Sequence, residues 1–198
     1  MDAARRPTLT TGDARAVLLV EGVSDQIAME TAATRLGRNL EREGVTIVPI
    51  GGAHALGRVL NLLHAEGKNM RLAGIYDIGE EHVVRRALQR AGLADCSPLT
   101  RAGMEDLGFY ACAVDLEDEL IRSLGADAMR AIIEAQGELA AFHTLQKEPA
   151  WRGQPVENQL RRWLGSGGTR KIRYARLVVE ALDPARVPQP LREALGRL

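Results

Sequence analysis

The feature that most constrains this chain is a succession repeated through its first half: a short apolar run, then glycine or acid, then a stretch with helical spacing. Ala16-Val17-Leu18-Leu19-Val20 ends at Glu21-Gly22, and Val45-Thr46-Ile47-Val48-Pro49-Ile50 ends at Gly51-Gly52. Leu72-Ala73-Gly74-Ile75-Tyr76 ends at Asp77, and Phe109-Tyr110-Ala111-Cys112-Ala113-Val114 ends at Asp115. Short, largely apolar runs of this kind read as strands covered on both faces, the signature of a parallel sheet. Between them, residues 24–43 (capped by Ser24), 54–66 and 80–91 (stopped by Gly92) place apolar residues at helical intervals. After Asp115 the strand signal stops, and residues 116–124, 126–136, 156–164 and 171–182 carry helical spacing. The expected architecture is α/β: a small, mainly parallel sheet flanked by helices over residues 12–115, with a helical C-terminal region over 116–198 packed on it.

Charge narrows the partners. The 198 residues hold 26 Lys+Arg and 26 Asp+Glu, so no blanket of positive charge exists, and any nucleic-acid contact must come from a local patch. Such a patch is visible. Residues 1–150 hold 16 basic and 22 acidic residues, whereas 151–198 hold 10 and 4, a net of −6 against +6. Aromatics at 4% argue against a base-stacking sheet platform of the RRM kind. The two cysteines, Cys96 and Cys112, are too few for a disulfide scaffold or a four-thiolate zinc site and read as reduced thiols. With no run approaching a membrane span and no apolar core behind Arg5-Arg6, the expected location is the cytoplasm, with no membrane partner.

The strand ends carry the candidate chemistry. In open α/β sheets ligands bind beyond the carboxyl ends of the strands. That rim receives Glu21 and Asp77, with Asp25 one helical turn beyond Glu21, and Asp115 and Glu117 after the fourth strand. Clustered hard oxygen ligands suit Mg²⁺ or Mn²⁺. Gly22, Gly51 and Gly52 allow close backbone approach beside them. Gly52-Ala53-His54-Ala55-Leu56-Gly57-Arg58 has the placement of a phosphate-binding loop, but Arg58 and Val59 stand where that loop needs Lys and Ser/Thr. Arg161, Arg162, Arg170, Lys171, Arg173 and Arg176 form a basic cluster that reads either as a solvated face or as a phosphate-contacting stripe. Trp151, Leu160 and Trp163 read as packing residues.

Val20-Glu21-Gly22-Val23-Ser24-Asp25, then Gly51-Gly52, then a buried strand ending in Asp77, resembles the TOPRIM domain, a Rossmann-like fold of topoisomerases, bacterial primases and OLD (overcoming lysogenisation defect) nucleases. The OLD branch is most similar, through Asp115-Leu116-Glu117 with its following helix and the late Lys171 opening a helix. The resemblance implies a divalent-metal-dependent nuclease hydrolysing phosphodiesters, with DNA the favoured substrate. It implies Glu21, Asp77, Glu117 and Lys171 as catalytic, and Glu21, Asp25, Asp77, Asp115 and Glu117 as ligands to Mg²⁺ or Mn²⁺. Arg161, Arg162, Arg170, Arg173 and Arg176 are then the nucleic-acid surface.

Two departures shape the alternatives. The second aspartate of the family's DxD motif falls on Gly79, so Glu80 or Glu81 must substitute if that ligand is needed. OLD proteins also carry an ATPase domain ahead of the TOPRIM, for which 198 residues leave no room; a separate ATPase partner and a homodimer both fit. The competing readings are a non-hydrolytic TOPRIM module that binds metal or nucleic acid, and a TOPRIM nucleotidyl transferase.

Overall fold

The structure, a computed structural model, describes residues 14–65, 70–94 and 98–198. Cys96, the expected helix end at Glu66 and the expected domain start at residue 12 lie outside the described residues. The sheet has four parallel strands: β1 (Ala16–Val20), β2 (Val45–Pro49), β3 (Arg71–Asp77) and β4 (Phe109–Cys112), in the order β2-β1-β3-β4. β1 and β3 sit in the middle. All five β1 residues are buried, because helices cover both faces of the sheet.

On one face lie α3 (Leu56–Ala65), α4 (Glu81–Arg90) and α5 (Arg101–Asp106), packed on Val17, Leu19, Tyr76 and Phe109. The other face takes α1 (Val23–Arg35) and the helices after β4: α6 (Leu116–Leu124), α7 (Ala126–Ala135), α8 (Leu139–Lys147), α9 (Val156–Leu164), α10 (Gly168–Ala181) and α11 (Gln189–Gly196). Their buried residues form one continuous core with Leu18, Val20 and Ile75 of the sheet. α1 packs against α10, and this contact carries the late basic segment to the carboxyl end of the sheet.

Beyond shifts of a residue or two at element ends, such as β4 ending at Cys112 and α3 starting at Leu56, the structure differs from the sequence expectations in four places. The expected helix over 24–43 breaks at Gly37, whose φ of +75° is left-handed, and a separate short α2 (Leu40–Glu43) follows with Asn39 capping Arg42 N–H. Ser24 is not the cap of α1; that position is Gly22, and Ser24 lies in the first turn. α5, α8 and α11 are additional helices; α11 tolerates Pro190 because its first turn needs no intrahelical donor there. Lys171 lies within the first turn of α10 rather than at its start.

Candidate metal centre and basic cleft

Parallel pairing sets the site. β1 and β3 are adjacent, with Leu19 opposite Gly74, so Glu21 and Asp77 leave the sheet at the same edge. On the far side of β3, Asp77 pairs with Cys112, which brings the turn into α6 to that edge as well. Gly51 and Gly52 N–H donate to the Glu21 carbonyl at 2.9 and 3.2 Å. Both glycines have positive φ (78° and 103°), so an L side chain at either would strain the turn that anchors Glu21. Gly22 N–H donates to Asp25 Oδ2 at 2.8 Å and the Ser24 hydroxyl to Oδ1 at 3.2 Å, holding a buried carboxylate beside the strand end.

The electrostatics record the crowding. Burial, followed by the charges of Glu21, Asp115, Asp25 and Glu117, pushes the Asp77 carboxyl up to about 7. Burial also raises Asp25, against the pull of the Gly22 N–H and Lys171 and with the push of Glu21. Burial drives the Cys112 thiol far up, with Asp77 adding to it, so this thiol stays protonated. Lys171 Nζ lies 2.9 Å from Glu117 Oε1. Burial opposes its charge, but the charge and hydrogen bond of Glu117, aided by Asp25 and Asp77, outweigh burial and hold the ammonium above its ordinary range.

The acidic run after β4 divides its labour. Asp115 caps α6 through Asp118 N–H at 2.8 Å and gives its other oxygen to Arg161 Nε at 2.6 Å. Glu119 accepts Ala113 N–H at 2.8 Å, and Glu117 faces Lys171. Glu81 is taken up by Arg85 and Arg101, which removes it as a substitute for the missing DxD acid. Glu80 precedes α4 and is absent from the charges that act most on Asp77. Gly79 has open space where a Cβ would stand and no positive φ, so neither packing nor backbone demands glycine there. Among the described residues, no three His, Cys, Asp or Glu side chains are drawn in tightly enough to hold an ion as they stand. The donor set is nonetheless all oxygen and mutually repelling, which fits a hard divalent cation and not zinc.

The basic residues separate into two groups. Arg161, Arg162 and Lys171 line a cleft of about 530 Å³ together with Asp115 and Glu117. The others are engaged elsewhere. Arg170 lies 3.9 Å above the Trp163 ring and bonds Ser166, Arg173 bonds Glu138 at 2.6 Å, and Arg176 bonds Glu180 at 2.7 Å. The sequence reading missed two lining residues, Trp151 and Asn158. Trp163 packs in the core, edge-on to Phe142 at 5.6 Å; Trp151 packs against the edge of that core, is half-buried, and also lines the cleft. A signal existed: Asn158, Arg161, Arg162 and Gly165 fall at i, i+3, i+4 and i+7 of α9, one polar stripe opposite the buried Leu160 and Trp163.

A parallel sheet with Glu21 and Asp77 on one edge, and with Asp25, Asp115 and Glu117 acting on that edge, defines an α/β domain of the TOPRIM kind. Residues 14–78 match the family model for the TOPRIM domain of "Overcoming lysogenization defect protein-like" proteins, so this stretch is similar to an OLD-like TOPRIM domain. The fold extends the likeness over the helices. The C-terminal region of the Xanthomonas campestris pv. campestris OLD protein superposes with a TM-score of 0.71 at 25% identity, covering 93% of this chain and 91% of that one. The C-terminal region of the Burkholderia pseudomallei OLD protein shares the fold at a TM-score of 0.67 and 20% identity, covering 93% and 96%. A search of the curated proteins found no match. TOPRIM domains generally bind divalent metal ions, which places this one in a class with nucleic-acid-related, metal-binding function. Among the described residues, no helix is long and apolar enough to cross a membrane.

Proposed function

We propose that this chain is a divalent-metal-dependent nuclease that hydrolyses phosphodiester bonds, with DNA as substrate and Mg²⁺ or Mn²⁺ as cofactor. The observation that carries the reading is the convergence of Glu21, Asp25, Asp115 and Glu117 on Asp77 at the sheet edge, where burial first and then their charges push its carboxyl up to about 7. Carboxylates forced together at a strand edge are a destabilising arrangement that a bound dication relieves. Glu21, Asp25, Asp77 and Glu117 would hold the metal, which would supply an activated water and neutralise the leaving oxygen. Asp115, whose two oxygens already serve the α6 cap and Arg161, contributes mainly charge and position. Lys171, released from Glu117 as that carboxylate turns to metal, would offset charge developing on the phosphate. Arg162 contacts the flanking backbone.

The missing DxD acid favours a second reading. With Gly79 in that position and Glu81 bound to two arginines, the second reading is a non-hydrolytic module that binds metal and nucleic acid or serves a separate ATPase. One assay separates the two. Supercoiled plasmid is incubated with the full chain in Mg²⁺ or Mn²⁺; nicking that Glu21→Gln or Asp77→Asn abolishes supports hydrolysis. Absence of nicking under both metals, restored by Gly79→Asp, supports the non-hydrolytic module, since the added side chain meets open space.

A further inference from the structure

We infer that the cleft beside the carboxylates is a nucleobase-binding site, with Trp151 as the stacking surface and Asn158 as the base-edge contact, so that the chain engages nucleic acid through an unpaired nucleotide. The inference rests on the phosphodiesterase reading and adds to it the strandedness of the substrate at the site.

Three observations carry it. The cleft of about 530 Å³ has the size of a small-ligand site and a lining of mixed chemistry. The carboxylates of Asp115 and Glu117, the indole of Trp151, the amide of Asn158 and the guanidinium of Arg162 share that lining. Two of its three cations are already matched, Arg161 by Asp115 and Lys171 by Glu117. Arg162 is exposed and has no ion pair among the described residues, which leaves a guanidinium for a phosphate. Gly165, one turn on from Arg161 and Arg162, adds no side chain to fill the space.

Trp151 is held in place by more than contact. Its carbonyl accepts Gln159 Nε2 at 2.8 Å, and Gln159 Oε1 accepts Gln146 Nε2 at 2.6 Å. Gln159 is 6% exposed, so a buried amide relay from α8 through α9 fixes the turn that carries the tryptophan. The same turn closes by Trp151 N–H to the Glu148 carbonyl at 2.9 Å. A large aromatic ordered in advance loses little entropy on stacking, and it is sequence-tolerant because every base has a π-face. Asn158 offers both donors and an acceptor to a base edge. A paired base inside a duplex cannot reach such a wall without leaving its stack, which favours single strands, frayed ends and flaps.

The test uses intrinsic fluorescence, because the chain has two tryptophans and Trp163 is buried at 3% exposure. The full chain in Ca²⁺, to support binding without turnover, is titrated with a 12-nucleotide oligothymidine, with an abasic oligomer of the same backbone length, and with a blunt duplex. The expected result is saturable quenching by oligothymidine, and an affinity for the abasic oligomer about tenfold lower, the scale of one aromatic–base stack. Trp151→Leu lowers oligothymidine affinity to the abasic level and leaves abasic binding unchanged. Trp151→Phe restores most of that affinity with the quench gone. Equal affinity of the unmutated chain for both oligomers, or quenching that survives Trp151→Phe, overturns the base site while leaving the phosphodiesterase reading intact. Failure to bind any of the three probes overturns both.

Discussion

Replacing Asp77 with Asn should make the metal-free protein more stable at neutral and alkaline pH, the reverse of what removing a native charge usually does. The Asp77 carboxyl rises from 3.8 to about 7, first through burial and then through Glu21, Asp115, Asp25 and Glu117. An acid whose folded pKa lies above its unfolded value favours folding fully below pH ~4 and loses that advantage as pH climbs through about 7. About three units at 1.36 kcal/mol each set a ceiling near 4 kcal/mol. Asp77 is partly exposed, and solvent screening reduces the expected effect to about 1–2 kcal/mol. Asn is close in shape and neutral throughout, and Asp77 caps no helix by its side chain, so little is lost with the charge. In EDTA at pH 8 the variant should melt about 2–6 °C higher than the unmutated chain, and at pH 4 the two should coincide within about 1 °C. The measurement is thermal denaturation by circular dichroism from pH 4 to 8. Adding Mg²⁺ should then raise the unmutated chain's melting temperature more than the variant's. A variant no more stable at pH 8, or a difference that does not grow with pH, would refute the argument that Asp77 sits in a field of uncompensated carboxylates.

Lys171→Ala should lower the single-turnover cleavage rate at least tenfold while changing DNA affinity less than threefold, because its partner is a carboxylate of the proposed metal set; an unchanged rate removes it from the reaction. Arg162→Ala should weaken DNA binding uniformly across sequences and flatten the log–log salt slope by about 0.9, whereas Arg176→Ala, its guanidinium taken up by Glu180, should leave both as they were. Gly74→Ala should cost about 1–3 kcal/mol by urea denaturation, since its Cβ would stand 2.7 Å from the Phe109 ring and 3.2 Å from the Leu19 carbonyl.

Much of the sheet and its rim could be read along the chain. A strand buried on both faces must be apolar at every position, and Ala16–Val20 is; a parallel sheet must end its strands at one edge, so Glu21 and Asp77 had to share it. What local pattern could not contain is which charge meets which. The arginines of α9 and α10 look equivalent in sequence, yet Arg161 is 46 residues from its partner Asp115 and Arg173 is 35 from Glu138. Those pairs depend on how α6, α8, α9 and α10 pack, and packing decides that Arg162 and Lys171 share a cleft while Arg173 and Arg176 do not. Trp151 illustrates the same division. Its composition says only that it is large and apolar, which reads as a packing residue, and it does pack against the edge of the core. The buried Gln146–Gln159 relay, formed between two helices, fixes the turn that carries it, and so brings this packing residue to the cleft as well. Hydrophobic period and strand ends are properties of neighbours in sequence and were legible; charge pairing and the exposure of one aromatic are properties of neighbours in space and arose only when the helices closed over the sheet.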